Sequence, residues 1–110
     1  MDSRLLSGAV EMLILDVVSH GKTYGYEITQ QVLDRSSGYF QLTEGSLYPA
    51  LHRLERRKLL SSSWAEVDGR RRKYYQCTPA GRKALAAKRD EWLEFSRGIN
   101  GVLGVTYAIT

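Results

Sequence analysis

One cysteine, two prolines and two histidines are present in 110 residues, and each scarcity removes a class of protein. The lone Cys77 permits no internal disulfide and fits a reducing compartment. Clustered cysteines or paired histidines at ligand spacing are missing, so neither a metal centre nor a cofactor is expected. His20, His52 and Cys77 are the residues an acid–base or nucleophilic mechanism would draw on first. None belongs to a nucleophile, base and oxyanion constellation, and an enzyme is not expected. No apolar run approaches the roughly 18 residues needed to span a bilayer, and "MDSRLLSGAV" lacks the basic-then-apolar order of a signal peptide. A cytoplasmic protein without a membrane partner is the expectation. Neither an internal repeat nor a low-complexity stretch is present, and 43% hydrophobic residues over this length suffice for one core.

The net charge of +4 is modest until it is located. Residues 52–73 hold eight basic residues against three acidic ones, whereas the rest of the chain has eight basic and nine acidic. All the positive excess therefore lies on two short segments, Arg53 to Lys58 and Arg70 to Lys73. This is the footprint expected of a polyanion binder.

Apolar periodicity predicts four helices. The first, Leu5 to Ser19, carries Leu6, Val10, Leu13, Ile14 and Val17 on one stripe with Ala9 beside it, and Gly21 stops it. Thr23 is expected to cap the second, "YGYEITQQVLDRSS", whose stripe runs through Tyr24, Ile28, Gln31 and Val32 and which ends at Gly38. "YFQL" reads as a short edge strand. The third helix, in "TEGSLYPALHRLERRKLL", places Leu47, Leu51 and Leu54 at i, i+4 and i+7 with Ala50 on the same face. Pro49 disturbs its start. With Ser46 as N-cap, Pro49 falls in the first turn, where a missing N–H is tolerated; with a start at Thr43, it leaves the Gly45 carbonyl unpaired.

After Leu59 the period changes from helical to alternating. "LLSSSWAEV" and "RRRKYYQCT" flank Asp-Gly, the strongest short-range hairpin signal. A two-residue turn pairs Val67 with Arg70, Trp64 with Lys73, Ser62 with Tyr75 and Leu60 with Cys77, which puts Leu60, Trp64, Tyr75 and Cys77 on the expected inner face. The tip then carries Arg70, Arg71 and Arg72 into solvent. Thr78 caps a last helix with Pro79 at its first position. From Pro79 to about Leu103 it spans roughly 37 Å, longer than the domain beside it can cover. Leu85, Trp92 and Ile99 repeat at seven, and Phe95 and Val102 fall three after the last two, forming a seam expected to be an oligomer interface.

Three helices, a short strand and a basic hairpin make a winged helix-turn-helix: a mainly α fold with a small β-hairpin wing (α+β) and a long C-terminal dimerisation helix. The DNA-binding domain is expected over residues 1–78 and the dimerisation helix over 79–104, with no role assigned to the tail 105–110. With the third helix's leucines inward, Gly45, Tyr48, Pro49, His52 and Arg56 point outward, flanked by Ser46, Arg53 and Arg57. Its opening turn is then the end that meets DNA, where free backbone groups, a hydroxyl and a phenol bond phosphate oxygens. Tyr24, Thr43, Lys73 and the wing arginines complete the expected DNA-binding set. An alternative is a winged-helix module for RNA or protein contacts.

The sequence also resembles a known family. "YGYEI" (24–28), "GSLYPALHRLERRKLL" (45–60), "DGRRRKYYQCTPAGR" (68–82) and "INGVLG" (99–104) are similar to the PadR family of bacterial transcriptional regulators over nearly the whole chain. The resemblance implies a homodimeric repressor, joined through its first and last helices, that often loosens from its operator when a small molecule binds near the dimer interface; the two-fold symmetry of such a dimer predicts a palindromic operator. It implies that Ser46, Tyr48 and the wing arginines contact DNA and that Trp92 lies at or near that interface. Leu6, Val10, Ile14, Leu85, Trp92, Phe95, Ile99 and Val102 are the expected dimer and effector residues, with a flat aromatic effector in view. Cys77 stands where the family pattern has an aliphatic residue, and reads either as a small buried hydrophobe or as a thiol sensor.

Overall fold

The structure, a computed structural model, describes residues 8–105. Four helices and a three-stranded antiparallel sheet follow one another as α1 (Val10–Ser19), β1 (Thr23–Tyr24), α2 (Gly25–Arg35), α3 (Glu44–Arg56), β2 (Leu60–Val67), β3 (Arg70–Cys77) and α4 (Pro79–Leu103). The sheet order is β1-β3-β2. The expected extension of the first helix to Leu5, and with it Leu6, lies outside the described residues.

The core is where the helical stripes meet. Ile14 and Leu15 of α1, Ile28 of α2, Leu47, Leu51 and Leu54 of α3 and Leu60 of β2 are all buried to within 1% exposure. Each large aliphatic side chain so buried contributes on the order of 1.5–3 kcal/mol. This packing fixes the rotation of α3, so its leucines face inward and Tyr48, Pro49, His52 and Arg56 face out.

Two local expectations are corrected and one open choice is decided. Thr23 does not cap α2: it is buried in β1, where Thr23 pairs with Tyr75 and Tyr24 with Tyr74, and the N-cap is Tyr24 without a side-chain bond. The third strand is therefore β1, whereas "YFQL" stays irregular because the edge it would have joined is already taken. The third helix starts from Thr43, so Pro49 lies inside it. A reciprocal capping box outweighs the lost bond: Thr43 Oγ1 accepts from the Ser46 N–H at 3.2 Å and Ser46 Oγ from the Thr43 N–H at 3.0 Å. Gly45 is exposed, so water can reach the carbonyl that Pro49 leaves unpaired.

The hairpin has the expected register, from Leu60↔Cys77 to Val67↔Arg70. Asp68 (φ 51°) and Gly69 (φ 78°) supply the two positive-φ positions of a tight hairpin turn. Leu60, Tyr75 and Cys77 are buried as expected, but Trp64 is 58% exposed, because the hairpin outruns the core before reaching it. At the junction with α4, Thr78 Oγ1 accepts from the Gly81 N–H at 2.9 Å and donates to the Lys58 carbonyl at 2.8 Å. Gly81 has no room for a side chain there: a Cβ would stand 2.1 Å from the Leu59 carbonyl oxygen.

Candidate nucleic-acid interface

A cleft of about 850 Å³ opens between the outer face of α3, the start of α2 and the wing. The hydrophobic stripe of α3 positions its first wall, Tyr48 and His52, by burying the opposite side of the helix. Tyr24, Gly25 and Tyr26 form the second wall and Trp64 with Arg70 to Lys73 the third. Gly25 permits the close approach of the Tyr48 ring, whose Oη would lie 2.9 Å from a Cβ at that position. Because Tyr24 offers no side-chain cap, the first N–H groups of α2 are left for another acceptor beside that phenol.

The cations around the cleft are not equivalent. Arg72 stacks over Tyr24 at 4.1 Å and Arg71 over Trp64 at 4.8 Å, while Arg70 is exposed. None of these three arginines has an ion-pair partner among the described residues. Lys73 is engaged: its Nζ donates to Glu55 at 3.1 Å, and Ser62 donates its hydroxyl to the same carboxylate. The Ser62 bond, helped by Lys73 and opposed by burial, holds the Glu55 carboxyl below its usual range, and the Glu55 bond raises Lys73 in turn. Arg57 and, at 3.8 Å, Arg53 lean back to Glu11 on α1, whereas Arg56 points out unpaired among the described residues.

The cleft thus brings together Tyr24, Tyr48, His52 and Arg70 to Lys73 of the sequence-predicted set. Pro49 and Arg56 flank it on the exposed face of α3, and Thr43, Gly45 and Ser46 form that helix's opening turn. Ser46 has a cap to hold, since its hydroxyl also donates to the Thr43 carbonyl at 3.0 Å. Tyr26 and Trp64 were not anticipated as cleft walls. Tyr26 offered the signal of an aromatic residue set off the buried stripe of its helix, whereas Trp64 offered none, because alternation put it on the inner face with Leu60.

The expected dimer residues divide. Val10 (3% exposed), Ile14 (0%) and Leu85 (7%) are buried in the chain's own core, with Leu85 also reaching the wall of the groove beside Trp92. Trp92, Phe95, Ile99 and Val102 stay exposed along the outer half of α4, with the Trp92 and Phe95 rings 5.9 Å apart. Beside Trp92 a groove of about 380 Å³ runs between α1, α2 and α4, walled by Met12, Leu13, Phe40 and Trp92 and crossed by Asp16, Arg35 and Arg89. Cys77 is buried, and burial pushes its thiol above the usual range, which keeps it protonated and favours the small-hydrophobe reading over a sensor.

A family model described as the transcriptional regulator PadR-like family matches residues 14–87. The chain belongs to the PadR-like family of transcriptional regulators. These proteins are regulators and not enzymes. The transcriptional regulator Rv3488 of Mycobacterium tuberculosis is 40% identical over 93 residues, covering 84% of each chain. A transcriptional regulator from Clostridium thermocellum superposes with a TM-score of 0.84 at 33% identity, covering 89% of this chain and 96% of that one. A PadR family regulator from Clostridium difficile gives a TM-score of 0.75 at 36% identity, over 86% of this chain and 98% of its own. Among the described residues of this PadR-like regulator no helix is long and apolar enough to cross a membrane, and no group of His, Cys, Asp or Glu is placed to hold a metal ion.

Proposed function

We propose that this PadR-like regulator is a homodimeric repressor acting on a palindromic operator in the cytoplasm. The carrying observation is the cleft: three arginines without carboxylate partners among the described residues stand beside an α3 whose outer face is free of the core. A helix fits the roughly 12 Å wide major groove, so Tyr48, Pro49, His52 and Arg56 meet base edges and phosphates while the wing reaches the backbone. Arg53, bound toward Glu11, serves the edge of that contact. Trp92, Phe95, Ile99 and Val102 pair two α4 helices across a two-fold axis, and two-fold symmetry then requires a two-fold site with half-sites about one helical turn apart or a multiple of it. A flat aromatic effector is suited to the groove beside Trp92, where its binding shifts α4 against α1 and hence the spacing of the two α3 helices.

Titration of a palindromic promoter duplex over a range of salt concentrations tests this reading. Binding with a steep negative salt slope, by a species that sediments as a dimer, is expected. Equal affinity for single-stranded RNA and duplex, or a monomer on the operator, would refute it.

A further inference from the structure

Trp64 is an expensive residue to leave 58% exposed, and the core offers it nothing. What its ring does hold is the Arg71 guanidinium, whose central carbon is 4.8 Å from the ring centroid, inside the roughly 6 Å range of a cation–π contact. The two residues sit diagonally on one face of the hairpin, Trp64 opposite Lys73 and Arg71 opposite Glu66. Glu66 is the obvious ion-pair partner, yet among the described residues no carboxylate pairs with Arg71. Arg72 repeats the arrangement with Tyr24, whose own ring is held edge-on by Tyr74 at 5.6 Å.

We propose that Trp64 is a positioning residue for DNA binding, holding Arg71 in the pose in which it meets a phosphate. This rests on the reading of the wing as a DNA element. Stacking uses the face of a guanidinium and a phosphate bonds its edge, so one arginine makes both contacts at once. An arginine free at a hairpin tip must lose its rotamer freedom on binding, and a ring that has already restricted it removes part of that cost. A carboxylate in the ring's place would also hold Arg71, but would compete with the phosphate, as Glu55 does for Lys73.

The test is a double-mutant cycle on duplex binding, with Arg71 side-chain proton shifts read in the free protein. Trp64→Leu is expected to abolish the upfield ring-current shift of the Arg71 δ protons and to weaken binding about threefold per protomer, hence roughly tenfold for a dimer. It leaves the salt slope unchanged, since no charge is lost. Arg71→Ala lowers the magnitude of that slope by about 0.9 per protomer. Trp64→Leu then adds nothing in the Arg71→Ala background, and Trp64→Phe, which keeps a ring, recovers most of the affinity and the shift. Trp64→Leu binding as tightly as the parent, or weakening the Arg71→Ala protein as much as it weakens the parent, would overturn the proposal while leaving the wing a DNA element. An unchanged slope in Arg71→Ala shows that Arg71 meets no phosphate and overturns the proposal, and an unchanged slope with Arg70, Arg71 and Arg72 all replaced by alanine removes the premise as well.

Discussion

Gly25→Ala separates the fold of this regulator from its DNA binding. Gly25 opens α2 under the Tyr48 ring, and a Cβ there would stand 2.9 Å from Oη and 3.3 Å from both Cε1 and Cζ. The backbone tolerates the change, since Gly25 is not among the positive-φ residues, and alanine is the better helix former. The atoms in the way belong to the far end of a side chain that is 49% exposed, so the phenol yields by a few tenths of an ångström without disturbing the core. That displacement moves the hydroxyl off the start of α2, where in the proposed complex it would share a phosphate acceptor with the helix N–H groups. A misplaced hydrogen bond costs about 1–1.5 kcal/mol, or roughly five- to twelvefold per protomer, multiplied across a dimer. The expected outcome is an operator affinity reduced more than about tenfold by fluorescence anisotropy, with a melting temperature equal to the parent's or slightly higher. Tyr48→Phe should match the affinity loss without touching Gly25. Parental affinity in Gly25→Ala would refute the phenol as a DNA contact. A stability loss above about 2 kcal/mol would show instead that the ring belongs to the core.

If the proposed dimer forms through α4, Trp92→Glu is expected to give monomers in sedimentation at micromolar concentration, with weak and sequence-indifferent duplex binding, because it places two like charges where apolar burial is worth roughly 1.5–3 kcal/mol per side chain. Asp16→Asn removes one carboxylate that holds Arg35 and Arg89 at 2.7 Å each; with both partners half exposed, a cost of about 1–2 kcal/mol in thermal melts is expected. Burial opposes ionisation of Asp16, but Arg35, Arg89 and His20 outweigh it and hold its carboxyl below the ordinary 3.8. Its contribution is therefore fully present above that value and lost as pH falls through the depressed one, so parent and Asp16→Asn should converge in stability under acid and differ at neutral pH.

The hairpin was legible to the residue because alternation and an Asp-Gly turn together pin the register, and a slip by one would turn every side chain to the other face. The same alternation misplaced Trp64, since periodicity says which face a residue is on and not where the core under that face ends. β1 was illegible for a different reason. It has two residues, and its pairing with Tyr74 and Tyr75 lies some fifty positions away in sequence, so no local pattern announces it. The start of α3 turned on a balance of two local terms, the Pro49 penalty against a reciprocal Thr43–Ser46 cap, which propensity alone cannot weigh. For α1, the stripe correctly marked Val10 and Ile14 as buried, but a stripe does not distinguish burial by the chain's own helices from burial by a second copy.

The division of the basic cluster also needed three dimensions, and it narrows the unpaired positive charge at the cleft to the wing arginines. Glu11 holds Arg57 at 3.0 Å and reaches Arg53, while Glu55 holds Lys73 at 3.1 Å. Together these two carboxylates withdraw Arg53, Arg57 and Lys73 from the surface that would face a polyanion, and Arg56 on α3 and the wing arginines stay among its unpaired cations in the described residues. Asp16 does the same for Arg35 and Arg89, away from the cleft. Glu11 and Asp16 both lie on α1, so this helix is tied by ion pairs to α3 on one side and to α2 and α4 on the other. These pairs link α4 to α3 through α1, so a displacement of α4 by the proposed effector would act on Asp16 and, through α1, on the pairs that Glu11 makes with Arg53 and Arg57. The coupling needs no contact between effector and cleft, and it predicts that neutralising Glu11 weakens effector response while leaving the wing's contribution to binding intact.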